Sequence, residues 1–179
     1  MTTNKLLFLS FLALGMSISL FSCREVPGCT DEVALNYSPD ANLDDGTCSY
    51  ERDMFLGTYS GTSVCTQPGF WNSNDFQFTI NEDPDDGTKV RLAFPFNMSS
   101  KPVIFTATVD GNTLLFDDRT NEPDDLPLCG VENPPMILKG TASLNGNQFS
   151  FPDFKFHVEG EDNQAVCPVD CMISAEKDP

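Results

Sequence analysis

The chain has 179 residues, 40% of them hydrophobic and 11% aromatic, with 10 basic side chains against 27 acidic ones and a single histidine. A formal charge of −17 repels phosphate backbones, which argues against nucleic acid as a partner and favours solubility, divalent cations or a basic partner. The length suits one ordinary domain with a small appendage.

Residues 1–22 carry one charge, Lys5, ahead of an apolar run from Leu6 to Phe21 that Ser10, Gly15, Ser17 and Ser19 interrupt. The run falls short of the roughly 18 to 20 residues that cross a bilayer core, so it reads as a signal peptide rather than a retained span. Leu20, Phe21, Ser22 and Cys23 resemble a bacterial lipoprotein lipobox. That resemblance implies cleavage before Cys23 and lipidation of its thiol and new amino group. Several acyl chains at about 0.8 kcal/mol per buried methylene would then hold the protein firmly on a membrane. The alternative is plain secretion, with Cys23 available for a disulfide. Seven cysteines leave an odd one in an exported chain, and setting Cys23 aside as the lipid carrier leaves six that can pair fully, though counting alone does not say how. A cell-envelope location follows, at the outer membrane with its periplasmic or outward face undecided, in an oxidising setting that suits the thiols. Without the signal the balance is 9 basic against 27 acidic side chains, or −18.

A short lipidated tether, 23–28, leads into a Cys-bracketed acidic module, 29–50. Few apolar residues lie between Cys29 and Cys48, so the segment needs a staple. Pairing these two cysteines would remove roughly 3 kcal/mol of unfolded-chain freedom. Gly28 to Cys48 resembles a short repeat, GCTDxxAxNYxPxAxxDDGxC, of exported proteins in marine Bacteroidetes-type bacteria, and here it occurs once. Within it Asp40, Asn42 and Asp44 alternate and lead into Asp45 and Gly46, which looks like the opening of a calcium loop, since hard cations want several convergent oxygens. An EF-hand places glycine sixth and a bidentate glutamate twelfth, whereas here those positions hold Asp45 and Glu51. Asx-turns beside a disulfide would write the same letters without metal.

From Met54 the composition shifts to alternating apolar and polar residues rich in aromatic and β-branched types, so 54–175 is expected to be an all-β domain. Strands are expected at Phe55–Cys65, with Gly57, Tyr59 and Gly61 on one face, and at Asp75–Glu82. Lys89–Phe96 follows, and its Pro95 suggests an edge or a bulge. Val103–Val109 and Leu114–Phe116 flank Asp110, Gly111 and Asn112, a strong hairpin signal. Ile137–Leu144 turns at Asn145, Gly146 and Asn147 and returns through Phe149 to Val158, with a bulge at Pro152 shifting the inward set from Phe151 to Phe154. A last short strand is expected at Cys171–Ala175. About eight short strands joined by tight turns signify an antiparallel barrel or sandwich.

The longest irregular piece is Asp117–Pro135, with four prolines, clustered acids and Cys129. It is either the lid of a barrel mouth or a solvated excursion pinned by a disulfide. The β domain resembles the lipocalin-like domains of Bacteroidetes-type lipoproteins in its opening Leu56, Gly57, Thr58, Tyr59, in the Gly140–Asn147 hairpin, and in cysteines near both ends. Lipocalins proper carry tryptophan where Tyr59 stands. In a closed barrel the first and last strands are neighbours, so the resemblance pairs Cys65 with Cys171 and leaves Cys129 with Cys167.

No phosphate loop, nucleophile elbow or paired metal-binding histidines occurs in the sequence. The lone His157 lies between Lys155 and Glu159 on a strand, an outward polar position rather than that of a general base. Asp117 and Asp118 are adjacent in a strand-like pattern and point to opposite faces, so they do not form a facing pair of catalytic carboxylates. An enzyme is therefore disfavoured. Trp71, flanked by Phe70 and Asn72, is either a binding aromatic at the barrel rim or a core plug. The expectation is a non-enzymatic envelope lipoprotein that binds a small apolar or glycan-like ligand, with Trp71 and Tyr59 as contact residues. The alternative is a calcium-stiffened structural or adhesive surface protein, or an inhibitor of an envelope enzyme.

Overall fold

The computed structural model describes residues 24–66, 73–95, 101–121, 129, 131 and 134–179. The expected signal peptide, 1–22, together with Cys23 and Trp71, lies outside the described residues, as does most of 122–133. The chain divides into two compact units.

The first unit contains residues up to Glu32 together with Tyr37–Cys48. Two short strands, β1 (Pro27–Gly28) and β2 (Leu43–Asp44), pair in parallel with Pro27 opposite Leu43. Cys29 is 1% exposed and bonded to Cys48, so the disulfide takes the place a hydrophobic core would hold in a larger domain.

The second unit, Val33–Asn36 with Ser49–Pro179, is built on a closed antiparallel barrel. Its eight strands are β3 (Gly57–Cys65), β4 (Ser73–Glu82), β5 (Lys89–Phe94), β6 (Val103–Asp110), β7 (Thr113–Thr120), β8 (Met136–Asn145), β9 (Gln148–Glu159) and β10 (Ala165–Lys177). They run in simple up-and-down order, and β10 pairs with β3 to close the sheet, which removes the edges that an open sheet must protect. The barrel, not the sandwich, is the outcome.

The alternation of the sequence sets which side chains point inward. Val90, Leu92 and Phe94 are buried on β5, Val103, Phe105 and Ala107 on β6, and Leu114 and Phe116 on β7. The aromatic rings meet one another across the interior. Tyr59 stacks on Phe78 at 5.1 Å, Phe78 meets Phe94 at 5.8 Å, and Phe94 stands edge-on to Phe154 at 5.7 Å. Phe154 in turn meets Phe151 at 5.1 Å, and Phe151 stacks on Phe116 at 4.9 Å. Such contacts each add about 0.5 to 1.5 kcal/mol beyond burial alone, and they occupy the barrel axis with side chains.

Several strand boundaries differ from expectation: β3 begins at Gly57 because Phe55 belongs to a 3-10 turn, and β4 begins at Ser73 rather than Asp75. β7 runs through Asp117 to Thr120, because these residues pair with Lys139 back to Met136, so the irregular piece begins at residue 121. β10 is 13 residues long. Cys167 and Pro168 look like breakers in sequence, but a register shift between Val166 and Val169 absorbs them. β5 stops at Phe94, just before Pro95. The expected irregularity at Pro152 is present, since the β9–β10 register slips between Cys171, opposite Phe154, and Ile173, opposite Phe151. On the other side of β9 the β8 register slips between Lys139 and Ser143. Gly140 sits in that slip at φ +137°, where a Cβ would lie 2.6 Å from the Phe151 ring, so only glycine fits.

Candidate functional site

The two ends of the barrel are built differently. At one end, β6 and β7 are joined through Gly111 and Asn112, and β8 and β9 through Gly146 and Asn147. Both glycines adopt positive φ, 58° and 61°, as tight hairpins require. A short 3-10 turn, Glu51–Phe55, precedes β3 at this end. Its Phe55 is buried in the barrel core. The Lys177 ammonium, from the end of β10, donates to the Met54 carbonyl at 3.0 Å.

Arg52 holds this closure together. Its buried guanidinium donates through one terminal nitrogen to the carbonyls of Asp83 at 2.6 Å and Asp86 at 2.7 Å, in the β4–β5 connection. Its other terminal nitrogen reaches the Glu82 carboxylate at 3.5 Å, and its plane lies 4.7 Å from the centre of the Tyr50 ring. Asp83 is buried and accepts from Arg91 Nε at 3.0 Å and from the Asp85 N–H at 2.9 Å. Burial works to raise the Asp83 carboxyl, but the Asp85 N–H and the Arg91 guanidinium outweigh it and hold the group below its ordinary value. Asp86 is held well below the carboxylate range, chiefly by the Thr88 hydroxyl and then by Lys89, whose ammonium is raised in return. These charges are consumed in closing the barrel.

The other end is where β3, β5, β7 and β9 finish and β4, β6, β8 and β10 begin. Connections 66–72, 95–102, 121–135 and 160–164 all belong to it, and two disulfides brace it. Cys65 and Cys171 are direct register partners on β3 and β10, so their bond locks the seam where the first and last strands meet. Cys129 pairs with Cys167, and both adopt positive φ, 58° and 49°. All three pairings agree with the sequence expectation.

Tyr59 does not stand at a rim. It is 0% exposed, near the closed end, with its hydroxyl donating to the Phe55 carbonyl at 2.7 Å, and burial pushes its pKa up to about 12. His157 is half-buried on β9 opposite Ile137. Asp117 pairs with Lys139 at 2.9 Å, while Asp118 accepts from the Thr106 N–H at 2.6 Å, so the two acids serve different partners.

Three of the four candidate calcium ligands, Asn42, Asp44 and Asp45, make local hydrogen bonds, and Asp40 is exposed on the same segment. Asn42 accepts from the Val26 N–H and donates to the Arg24 carbonyl. Asp44 accepts from the Gly46 N–H at 3.0 Å. Asp45 accepts from both the N–H and the hydroxyl of Thr47, at 3.0 and 2.6 Å. The tetrapeptide Asp44-Asp45-Gly46-Thr47 recurs as Asp85-Asp86-Gly87-Thr88. There Asp86 accepts from the N–H and hydroxyl of Thr88 at 2.9 and 2.6 Å. The same four residues thus make the same aspartate-to-threonine Asx hydrogen bonds at two places in the chain, with Gly46 at positive φ in the first. Among the described residues no group of three or more His, Cys, Asp or Glu side chains is gathered as metal ligands.

Sequence reasoning missed Arg52 and Asp118. An arginine within an acidic segment just ahead of the first strand was the available signal for the former. No known protein family matches the chain, and no curated protein matches it either. Among the described residues no helix is long and apolar enough to cross a membrane.

Proposed function

We propose that the protein is a non-enzymatic, lipid-anchored envelope protein that uses its barrel as a rigid scaffold and meets its ligand at the end opposite the Arg52 closure. One observation carries this reading. The interior is filled by contacting aromatic rings from Tyr59 to Phe116 and Arg52 ties one end together, which favours for a small ligand the end that carries the three longest connections, 66–72, 95–102 and 121–135. A small apolar or glycan-like ligand would be held there against the connection that contains Trp71. Tyr59 supports the scaffold from within rather than touching the ligand. Anchoring by acylated Cys23 at the outer membrane supplies the location, and the three disulfides suit such an oxidising compartment.

The filled interior also favours a second reading, a surface protein that contacts a protein partner by its exterior, with the Cys29–Cys48 module stiffened by calcium. Native mass spectrometry of the mature chain from its own envelope, lipid trimmed and recorded with and without a chelator, separates the two. A bound organic mass supports the ligand-binding reading. Divalent metal that chelation removes, with no organic mass, supports the stiffened surface protein. A bare polypeptide removes both the ligand and the metal and leaves a barrel that contacts protein.

A further inference from the structure

We infer that the Arg24–Gly28 edge of the Cys-bracketed module, with the paired segment Asn42–Asp44, rests in the lipid headgroup layer, with Leu43 and Pro27 as its contact residues and Asn42 as the clamp that sets the distance. This rests on the acylation of Cys23 proposed for the protein. The argument begins with Asn42, whose side chain grips the incoming strand on both sides. Its Oδ1 accepts from the Val26 N–H at 2.8 Å and its Nδ2 donates to the Arg24 carbonyl at 3.1 Å. The backbone N–H groups of Asn42 and Leu43 both donate to the Val26 carbonyl, at 3.0 and 3.3 Å. The chain is therefore hydrogen-bonded to folded structure by Val26 and in strand pairing from Pro27, so at most two residues, Arg24 and Glu25, separate Cys23 from that structure.

Distance then places the module. Extended chain spans at most about 3.3 to 3.6 Å per residue, so Val26 lies within about 10 Å of Cys23. The headgroup layer of one leaflet is about 5 to 8 Å thick, from a core of about 30 Å within a bilayer of about 40 to 45 Å. With Cys23 acyl chains in the core, the Val26–Asn42 clamp sits in the headgroups or directly upon them. The residues beside that clamp are apolar and open: Leu43 is 46% exposed, and its register partner Pro27 is exposed as well. Val33 and Leu35 are exposed too, at 56% and 66%, but Leu43 is the one paired beside the Val26–Asn42 clamp, where a headgroup interface would receive it.

The test uses the full acylated chain in phosphatidylcholine vesicles whose acyl chains are brominated near the carbonyl. Leu43→Trp is introduced in a Trp71→Phe background, since Trp71 is the protein's only tryptophan. The expected result is loss of most of the indole emission in brominated vesicles. Recovery is expected when a Gly/Ser spacer of roughly 12 residues, about 20 Å in root-mean-square length, is inserted between Cys23 and Arg24. Equal emission in brominated and unbrominated vesicles from a chain whose intact mass includes the acyl groups overturns the inference while leaving the anchor in place. A chain whose mass lacks acyl groups overturns the anchor itself. An intact Cys29–Cys48 bond in the spacer variant, read by peptide mapping, establishes that emission changed through distance and not through unfolding.

Discussion

Asp118 Oδ2 accepts the backbone N–H of Thr106 at 2.6 Å, beyond the point where β6 and β7 cease to pair. The ladder between these strands extends from Asp110 opposite Thr113 only as far as Thr108 opposite Leu115. Past it the carboxylate replaces the missing backbone acceptor and keeps the two strands joined. Asp118→Ala leaves that N–H without its partner and should cost about 1 to 2 kcal/mol, in the range for hydrogen bonds to charged groups at partly exposed sites. Asp118→Asn retains an acceptor and should recover part of the loss. Urea denaturation of the two variants measures both.

Tyr59 tests the aromatic interior. Tyr59→Phe keeps the stack on Phe78 and removes the hydrogen bond to the Phe55 carbonyl, for an expected loss of about 1 kcal/mol. Tyr59→Ala opens a void among the rings and should cost about 3 to 5 kcal/mol. Burial raises the Tyr59 pKa from 10.0 to about 12, so its stabilising contribution is fully present below pH 10 and is lost as pH rises toward 12. Ultraviolet titration of the folded protein should show a tyrosine that ionises only as pH approaches 12, and that step should disappear in Tyr59→Phe. Absence of a late step that depends on Tyr59 would refute the buried placement.

The period-two pattern made the barrel legible, because each inward row on β5 through β9 is written as alternating apolar residues that no helix could use. The hairpins at Gly111 and Gly146 were equally legible from their turn residues. Strand ends were not. Asp117 to Thr120 continue β7 only because Lys139 and its neighbours on β8 offer pairing partners, which is information held elsewhere in the chain. The last strand was expected only over Cys171–Ala175, and its earlier start was not legible because a register shift carries β10 past Cys167 and Pro168. Tyr59 shows the limit for the candidate site: alternation told which face it takes, but not that the face is packed solid by rings from five other strands. The calcium-like letters at Asp44 and Asp45 illustrate the same limit, since a turn and a ligand loop ask for the same side chains.

The disulfides should contribute unequally. Cys65 and Cys171 are 106 residues apart and Cys29 and Cys48 only 19, so chain entropy assigns about 4.7 kcal/mol to the first bond and about 3 to the second. Replacing Cys65 and Cys171 by alanine should lower the barrel's unfolding midpoint substantially. Replacing Cys29 and Cys48 should leave the barrel transition in place. It should abolish the slow hydrogen exchange of the Ser38 amide, which donates to the Cys29 carbonyl, and of the Asn42 and Leu43 amides, which tie the module to the Val26 carbonyl just ahead of it.

The closed end predicts acid sensitivity. The Asp83 carboxyl is held below its ordinary value of 3.8, so its contribution is present above that pH and is lost as pH falls through the folded value. Asp83→Asn keeps an acceptor for the Asp85 N–H but gives up the charge opposite Arg91. The variant should be less stable at neutral pH and show a shallower decline in stability below about pH 4. Parallel pH profiles for the two proteins would remove Asp83 from the acid transition.

The twin Asx-turns allow turn and metal readings to be told apart by the same substitution made twice. Asparagine accepts the N–H and hydroxyl of a following threonine as aspartate does, so the turn survives the exchange, whereas a calcium ion loses a charged ligand. In the barrel, Asp86→Asn also gives up the ion pair with Lys89 at 2.9 Å, a solvent-exposed contact that water and salt screen. In the module, Asp45→Asn has no such pair to lose and should change stability by no more than about 0.5 kcal/mol, as surface changes usually do. Hydrogen exchange of the Thr47 amide, with and without calcium, reads the module directly. Equal protection in wild type and Asp45→Asn under both conditions identifies Asp45 as a turn residue. Protection that rises with calcium in wild type but not in Asp45→Asn assigns its oxygens to a cation and shifts the functional reading toward the stiffened surface protein.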